Sequence, residues 1–184
     1  GQGHQLYVEE SGNPQGIPVV VLHGGPGGGC SPALRRFFDP QRFRIILFDQ
    51  RGAGQSRPLA SIDDNTLSHL LADLEQIRQA LHVERWMVFG GSWGATLALA
   101  YLAAFPQHIV GMVLRGIFLC RRQDLDWLYT EAGAARMFPQ AWQAFQQQAP
   151  PGSGSLLERY YQGLQGEHAR RYARAWCNWE STLA

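Results

Sequence analysis

The sequence predicts an α/β fold on a mostly parallel sheet, and three observations carry that prediction. Short apolar runs rich in β-branched residues recur through residues 1–117, stretches with helical apolar spacing fall between them, and the links are short. Leu6–Val8 reads as a first strand. Ile17–His23 (IPVVVLH) and Arg44–Asp49 (RIILFD) are unbroken apolar runs of the kind that fill a sheet covered on both faces, and Arg85–Gly90 (RWMVFG) and Ile109–Leu114 (IVGMVL) repeat the signal. Leu67, Leu70, Leu71, Leu74, Ile77 and Leu81 share one helical face, with Asn65 placed to cap the start. Thr96–Phe105 is a second, almost wholly apolar helix that ends near Pro106. Strand–helix–strand alternation of this sort buries a parallel sheet between helices.

Beyond residue 118 the strand signals stop. Leu125–Ala135, Gln140–Gln148, Leu156–Leu164 and His168–Leu183 read as helices rich in Gln, Arg, Tyr and Trp, with a breaker segment at Pro150–Ser155. The expected organisation is therefore an α/β core over 1–117 and a helical subdomain over 118–184. Its expected place is the carboxyl edge of the sheet, where α/β folds bind ligands.

Composition excludes several classes of function. The 184 residues are 45% hydrophobic and 17% charged. That suffices for one substantial core, yet is short beside the ~200–250 residues common for a single α/β domain. Sixteen Lys and Arg against fifteen Asp and Glu leave a formal charge of +1, so neither nucleic acid nor an anionic membrane is an expected partner. The clusters at Arg121–Arg122 and at Arg170, Arg171 and Arg174 read as solvated helix faces. Cys30, Cys120 and Cys177 form no CxxC and the six histidines no HExxH, so neither a disulfide framework nor a metal site is expected. No apolar run nears the ~18 residues of a membrane span, and Gly1–Glu10 lacks a signal-peptide pattern, so a reducing cytoplasm is the expected location. The start at Gly1, without Met, suggests a trimmed or processed product.

The strongest chemical motif is Gly90-Gly91-Ser92-Trp93-Gly94, between an apolar strand and an apolar helix. A serine forced into a sharp strand-to-helix turn needs neighbours without side chains, and its hydroxyl then stands exposed at a helix N-terminus that favours negative charge. Ser92 is therefore the candidate nucleophile. A second motif, His23-Gly24-Gly25-Pro26-Gly27-Gly28-Gly29, follows the strand VVVL directly. A serine nucleophile needs backbone N–H groups aimed at the oxyanion of the tetrahedral intermediate, and a glycine-rich loop together with the N–H after the nucleophile supplies them. Gly25 and Trp93 are the expected donors, and His23 is expected to orient the loop. A phosphate cradle is excluded because no GK[ST] follows. A third motif, Asp49-Gln50-Arg51-Gly52-Ala53-Gly54-Gln55-Ser56, reads as a buried Asp49–Arg51 pair with turn glycines behind the oxyanion loop.

Together HGGPGGG, DQRGAGQS and GGSWGATLAL resemble the proline iminopeptidases of the α/β-hydrolase superfamily. Leu114-Arg115-Gly116-Ile117-Phe118 continues the match, which is weakest across Pro139–Gly166. The resemblance implies the α/β-hydrolase fold with part of a helical cap. It also implies release of N-terminal proline from small peptides by Ser92, with Gly25 and Trp93 holding the oxyanion and no metal or organic cofactor. Trp176-Cys177-Asn178-Trp179-Glu180 matches the setting in which a cap glutamate of that family recognises the free imino group, so the resemblance gives Glu180 that role. Phe118 and Gly24 join the implied substrate-binding residues, Phe118 as part of the proline-ring pocket.

One departure stands out. In this fold the acid and the base follow the serine in chain order, and after Ser92 only His108 and His168 remain as bases, with Asp124 and Asp126 near the cap entrance. None sits in a loop after a strand. The expectation is a chain that stops inside the cap, inactive alone, whose later strands, acid and base belong to a complementary segment. The unpaired sheet edge would then invite self-association. Another hydrolase of the same fold (an esterase or lactonase) and a non-catalytic module that kept the fold remain open alternatives.

Overall fold

The computed structural model describes residues 3–183. It divides into two compact units, Gly1–Leu119 and Cys120–Ala184.

The first unit is built on five strands, β1 (Val8–Gly12), β2 (Ile17–Leu22), β3 (Phe43–Phe48), β4 (Trp86–Gly91) and β5 (Ile109–Arg115), in the spatial order β1-β3-β2-β4-β5. Only β1 runs antiparallel, against β3. The registers place Val20 beside both Ile46 and Val88, so three apolar runs lie side by side. Each run then splits by the period-two rule of a strand. Val20, Leu22, Ile46, Phe48 and Val88 face helices α1 (Leu67–Ala80) and α2 (Trp93–Ala104), packing on Leu74, Leu97 and Tyr101. Val19, Val21, Ile45, Leu47 and Phe89 face the other way, toward Leu34 and Phe38 around the short 3-10 helix Pro32–Phe37. Cover on both faces is why these strands read as continuous apolar runs rather than alternating ones.

Three local expectations are corrected. The first strand is Val8–Gly12, not Leu6–Val8: pairing with β3 needs only backbone, and its polar side chains find ions, Glu9 on Arg35 and Glu10 on Arg44. Asn65 does not cap α1. Thr66 occupies the cap position without capping a backbone N–H, its hydroxyl bonding the Ser68 and His69 side chains instead, while Asn65 Nδ2 donates to the carbonyls of Arg51 and Ser61. Helix α2 begins at Trp93, three residues before the apolar stretch that announced it, because the strand-to-helix turn is so tight.

The second unit comprises α3 (Arg122–Tyr129), α4 (Pro139–Gln147), α5 (Leu156–Gly163) and α6 (Ala169–Leu183). The helix expected over Leu125–Ala135 starts earlier and stops at Tyr129. The chain then folds back so that Gly133 packs on the Trp127 carbonyl, a contact no side chain would permit. Aromatic rings fill the core: Phe145 stacks on Tyr160 with centroids 4.4 Å apart, and Trp142 meets Trp179 edge-on at 5.2 Å. Two ring tips are paired inside it, Tyr160 Oη donating to the Phe145 carbonyl at 2.7 Å and Trp179 Nε1 to the Leu128 carbonyl at 3.0 Å, while the buried Trp142 Nε1 has no partner among the described residues. A capping box between Ser155 and Glu158 opens α5 right after the breaker segment. Among the described residues no helix is long and apolar enough to cross a membrane.

Candidate nucleophile site

Ser92 sits between β4 and α2 with φ 55° and ψ −122°, a backbone conformation that side chains rarely adopt and that costs on the order of 1–3 kcal/mol. The neighbouring fold holds it there. The Ser92 N–H donates to the Arg115 carbonyl at 3.1 Å, which extends the β4–β5 ladder, and its own carbonyl accepts the Ala95 N–H at 2.9 Å, which opens the helix. Gly94 is required by close approach, since a Cβ there would drive into the Leu22 carbonyl of β2. The result is an exposed serine at a helix N-terminus. Among the described residues no imidazole or carboxylate hydrogen-bonds its hydroxyl.

The glycine loop after β2 runs directly against it. A methyl group on Gly24 would lie 3.4 Å from Ser92 Cβ and 4.0 Å from its Oγ. The aim of the loop's amides follows from the peptide planes. The Gly24 carbonyl is turned inward, accepting from His23 Nδ1 at 2.9 Å and from the Gly28 N–H at 3.2 Å. In a planar trans peptide the next N–H points the opposite way, so the Gly25 N–H faces outward. Among the described residues no acceptor takes it. Trp93 opens α2, so its N–H has no carbonyl one turn back within the helix. An exposed hydroxyl beside two unclaimed amides can support nucleophilic attack with stabilisation of an oxyanion.

His23 is buried, and burial lowers its pKa. The ring is neutral, with Nε2 accepting the buried Gln50 N–H at 2.9 Å, so the proton resides on Nδ1 and serves the Gly24 carbonyl. The Gly29 N–H, 3.2 Å from the same Nδ1, is the weaker claimant. His23 is thus a bracket for the loop. Gln50, buried to 2% exposure, continues the bracket: its Nε2 donates to the His23 carbonyl and its Oε1 accepts the Trp93 indole N–H, both at 3.0 Å. A hollow of about 330 Å³ opens beside the same indole, lined in part by Pro26, Ile62 and Leu67.

The expected Asp49–Arg51 pair does not form. Arg51 forks onto Asp73 of α1, Nε to Oδ2 at 2.6 Å and the second guanidinium nitrogen to Oδ1 at 2.8 Å, with both side chains almost fully buried. Asp49 instead accepts backbone N–H groups, Cys30 at 2.6 Å and Gln55 at 2.7 Å, tying the glycine loop to its own. In a continuing strand residues 49 and 51 would share a face, but the chain enters a turn at Arg51 and the guanidinium goes to Asp73 on α1 instead. Asp73 left one signal in the sequence, an acid on the apolar face between Leu70 and Leu74. Gln50 was legible only as part of a motif whose charged neighbours drew attention first.

Phe118 is half-buried beyond β5, and its carbonyl accepts the Thr96 hydroxyl at 2.6 Å, one helical turn after Ser92. His108 lies at the amino end of β5, away from the elbow, its Nδ1 2.9 Å from Glu75. In the second unit Glu180 is half-buried on α6, its Oε1 accepting the Tyr129 hydroxyl at 2.7 Å. Tyr129 in turn stacks on Trp176 at 4.8 Å, and desolvation, then the carboxylate, push its hydroxyl pKa well up. His168 precedes α6 in the same unit. Burial raises the Cys30 thiol to about 12, and its Sγ donates to the Phe48 carbonyl, so it is an inert core thiol. Among the described residues no cluster of three or more His, Cys, Asp or Glu is placed to hold a metal ion.

Residues 17–176 match the alpha/beta hydrolase fold family. The chain is 50% identical over 186 aligned residues to a proline iminopeptidase of Arabidopsis thaliana, covering 98% of this chain and 49% of that protein. It is 49% identical over 184 residues to a proline iminopeptidase of Neisseria meningitidis serogroup A, covering 98% and 59%. The chain thus spans about half the length of the curated relatives it matches. Among solved structures, a proline iminopeptidase-related protein from Thermus thermophilus superposes with a TM-score of 0.61 at 28% identity, over 92% of this chain and 55% of that one.

Proposed function

The chain belongs to the alpha/beta hydrolase fold family, and on that premise we propose that it carries the nucleophile half of a serine aminopeptidase that releases proline from peptide N-termini. The observation that carries this reading is the exposed, strained Ser92 with Gly24 of the glycine loop close beside it. The proline iminopeptidases at about half identity support the substrate class.

Ser92 Oγ attacks the proline carbonyl as its proton passes to a general base. Gly25 and Trp93 N–H groups take the oxyanion, the C–N bond breaks as the leaving amine gains a proton, and water then hydrolyses the acyl-serine. His23 serves the glycine loop, His108 serves Glu75, and among the described residues no imidazole, His168 included, bonds the Ser92 hydroxyl; the base and its acid are therefore assigned to residues outside these 184. Glu180 is assigned to the substrate's secondary ammonium. A carboxylate with one oxygen held by Tyr129 keeps the other for a cation. Phe118 is assigned to the proline ring.

The test joins this chain to the matching C-terminal part of the Neisseria meningitidis relative and follows hydrolysis of prolyl β-naphthylamide. The joined protein is expected to turn over the free substrate, to reject its N-acetyl form, and to lose several orders of magnitude in kcat with Ser92→Ala. Equal hydrolysis of the acetylated substrate would point to an esterase-like enzyme and remove the role given to Glu180. Turnover by the 184-residue chain alone, abolished by Ser92→Ala, would overturn the assignment of the base to residues elsewhere.

A further inference from the structure

We propose that Gln50 is a positioning residue for the oxyanion site, locking the glycine loop to the nucleophile elbow through the Trp93 indole; this rests on Ser92 being the nucleophile.

The two amides that would share an oxyanion lie on separate pieces of chain, Gly25 in the loop after β2 and Trp93 at the first position of α2. Their spacing must hold to a fraction of an ångström for both to act on one oxygen. No covalent or ladder bond joins Gly25 to Trp93 directly. Gln50, at the end of β3, reaches both. Its backbone N–H holds the His23 ring by Nε2, and the ring's Nδ1–H turns the Gly24 carbonyl inward, which aims the Gly25 N–H outward. Its side-chain Nε2 holds the His23 carbonyl at 3.0 Å, setting the peptide plane that leads into Gly24. Its Oε1 accepts the Trp93 indole at 3.0 Å, tying the residue whose backbone supplies the second amide. Gln50 is buried, and its two bonds to His23 are buried with it, so water competes little for them. Leucine of similar size would fill the space and make none of the side-chain bonds. A glutamate would keep an acceptor for the indole but set a second acceptor against the His23 carbonyl. The amide alone presents a donor and an acceptor in the required directions.

Two measurements test this. In the 184-residue chain, hydrogen exchange is followed at the Trp93 indole and at the Gly28 amide, with Val20 and Ile46 as sheet references. Gln50→Leu is expected to speed exchange at the Trp93 indole and the Gly28 amide at least about tenfold and to leave the sheet sites unchanged. In the joined protein described above, Gln50→Leu is expected to lower kcat on the order of 10²-fold, with KM held within about threefold. Trp93→Phe, which removes the indole bond and keeps the backbone N–H, should give a smaller loss. The double variant should be no worse than Gln50→Leu alone, because both break one connection. Unchanged protection at the Trp93 indole and Gly28, or unchanged kcat with only a lower Tm, would overturn the proposal. If Gln50→Leu fails to fold, Trp93→Phe decides, read by exchange at the Gly28 amide and by kcat. Activity that survives Ser92→Ala would overturn the serine reading instead, and the exchange result would still stand on its own.

Discussion

In Gly1–Leu119 the candidate nucleophile Ser92 is placed by backbone bonds, whereas in Cys120–Ala184 the candidate Glu180 is held by a ring hydroxyl. The first unit buries Val, Ile and Leu between parallel strands and helices, and carries its polar groups in motif loops at the strand ends. The second buries Trp142, Phe145, Tyr160 and Trp179 between short helices. Placement by ladder and peptide plane leaves little freedom, so a glycine pattern along the chain is enough to announce it. Placement by ring packing depends on how four helices meet, which no local pattern encodes.

The largest expected effects set the two kinds of core against each other. Asp73→Ala removes the carboxylate paired with the buried Arg51 guanidinium and should cost about 3–5 kcal/mol. Trp179→Ala opens a cavity among stacked rings and should cost a similar ~3–5 kcal/mol. Denaturant unfolding measures both, and hydrogen exchange locates them: Asp73→Ala should loosen β2 and β3 amides first, and Trp179→Ala those of α6. Equal loosening of both sets by either variant would break the contrast drawn between the two units.

A smaller effect concerns acid stability. Burial alone would raise the Glu75 carboxyl, but donors from Arg78, Tyr101 and His108 outweigh it and hold it at about 2 against an ordinary 4.5. The unfolded chain then binds this proton at higher pH than the folded one. The stabilisation is complete above 4.5 and drains away as pH falls toward about 2. Glu75→Gln should flatten that limb of a stability-against-pH curve. In the second unit Glu158 is also lowered, by the Ser155 N–H and hydroxyl, but it is fully exposed and Glu158→Gln should change the curve far less. A curve with the same acid limb in parent and Glu75→Gln would remove Glu75 as its cause.

The smallest effect sharpens the view of Glu180. Tyr129→Phe keeps the stack on Trp176 and deletes only the bond to the carboxylate, so it should cost about 1 kcal/mol. A loss several times larger would mean that the hydroxyl, more than the rings, organises this unit.

How much could be read in advance differs by region for physical reasons. Apolar runs located β2 to β5 within a residue or so. For β2, β3 and β4 the reason is that a strand covered on both faces must be apolar, whereas β5, at the sheet edge, is apolar although Val110 and Val113 are exposed. Strand β1 was displaced since an edge strand can pair through backbone while carrying Glu9 and Glu10. The elbow was legible from Gly90 to Gly94 because a close approach admits no side chain, whatever lies further away. The partner of Arg51 was misassigned to Asp49 because adjacency along the chain says little about reach across a turn, and Asp73 lies on another element altogether.

From the order of residues alone came the parallel α/β core, the serine on its bend and the glycine loop before it, each of them dictated by local sterics and by the period of apolar side chains. Tertiary structure decided which polar groups meet: Arg51 with Asp73, Gln50 with His23 and Trp93, Tyr129 with Glu180. Those pairings join distant segments through single directed bonds, and only the packed positions of strands and helices bring their atoms within 3 Å of each other.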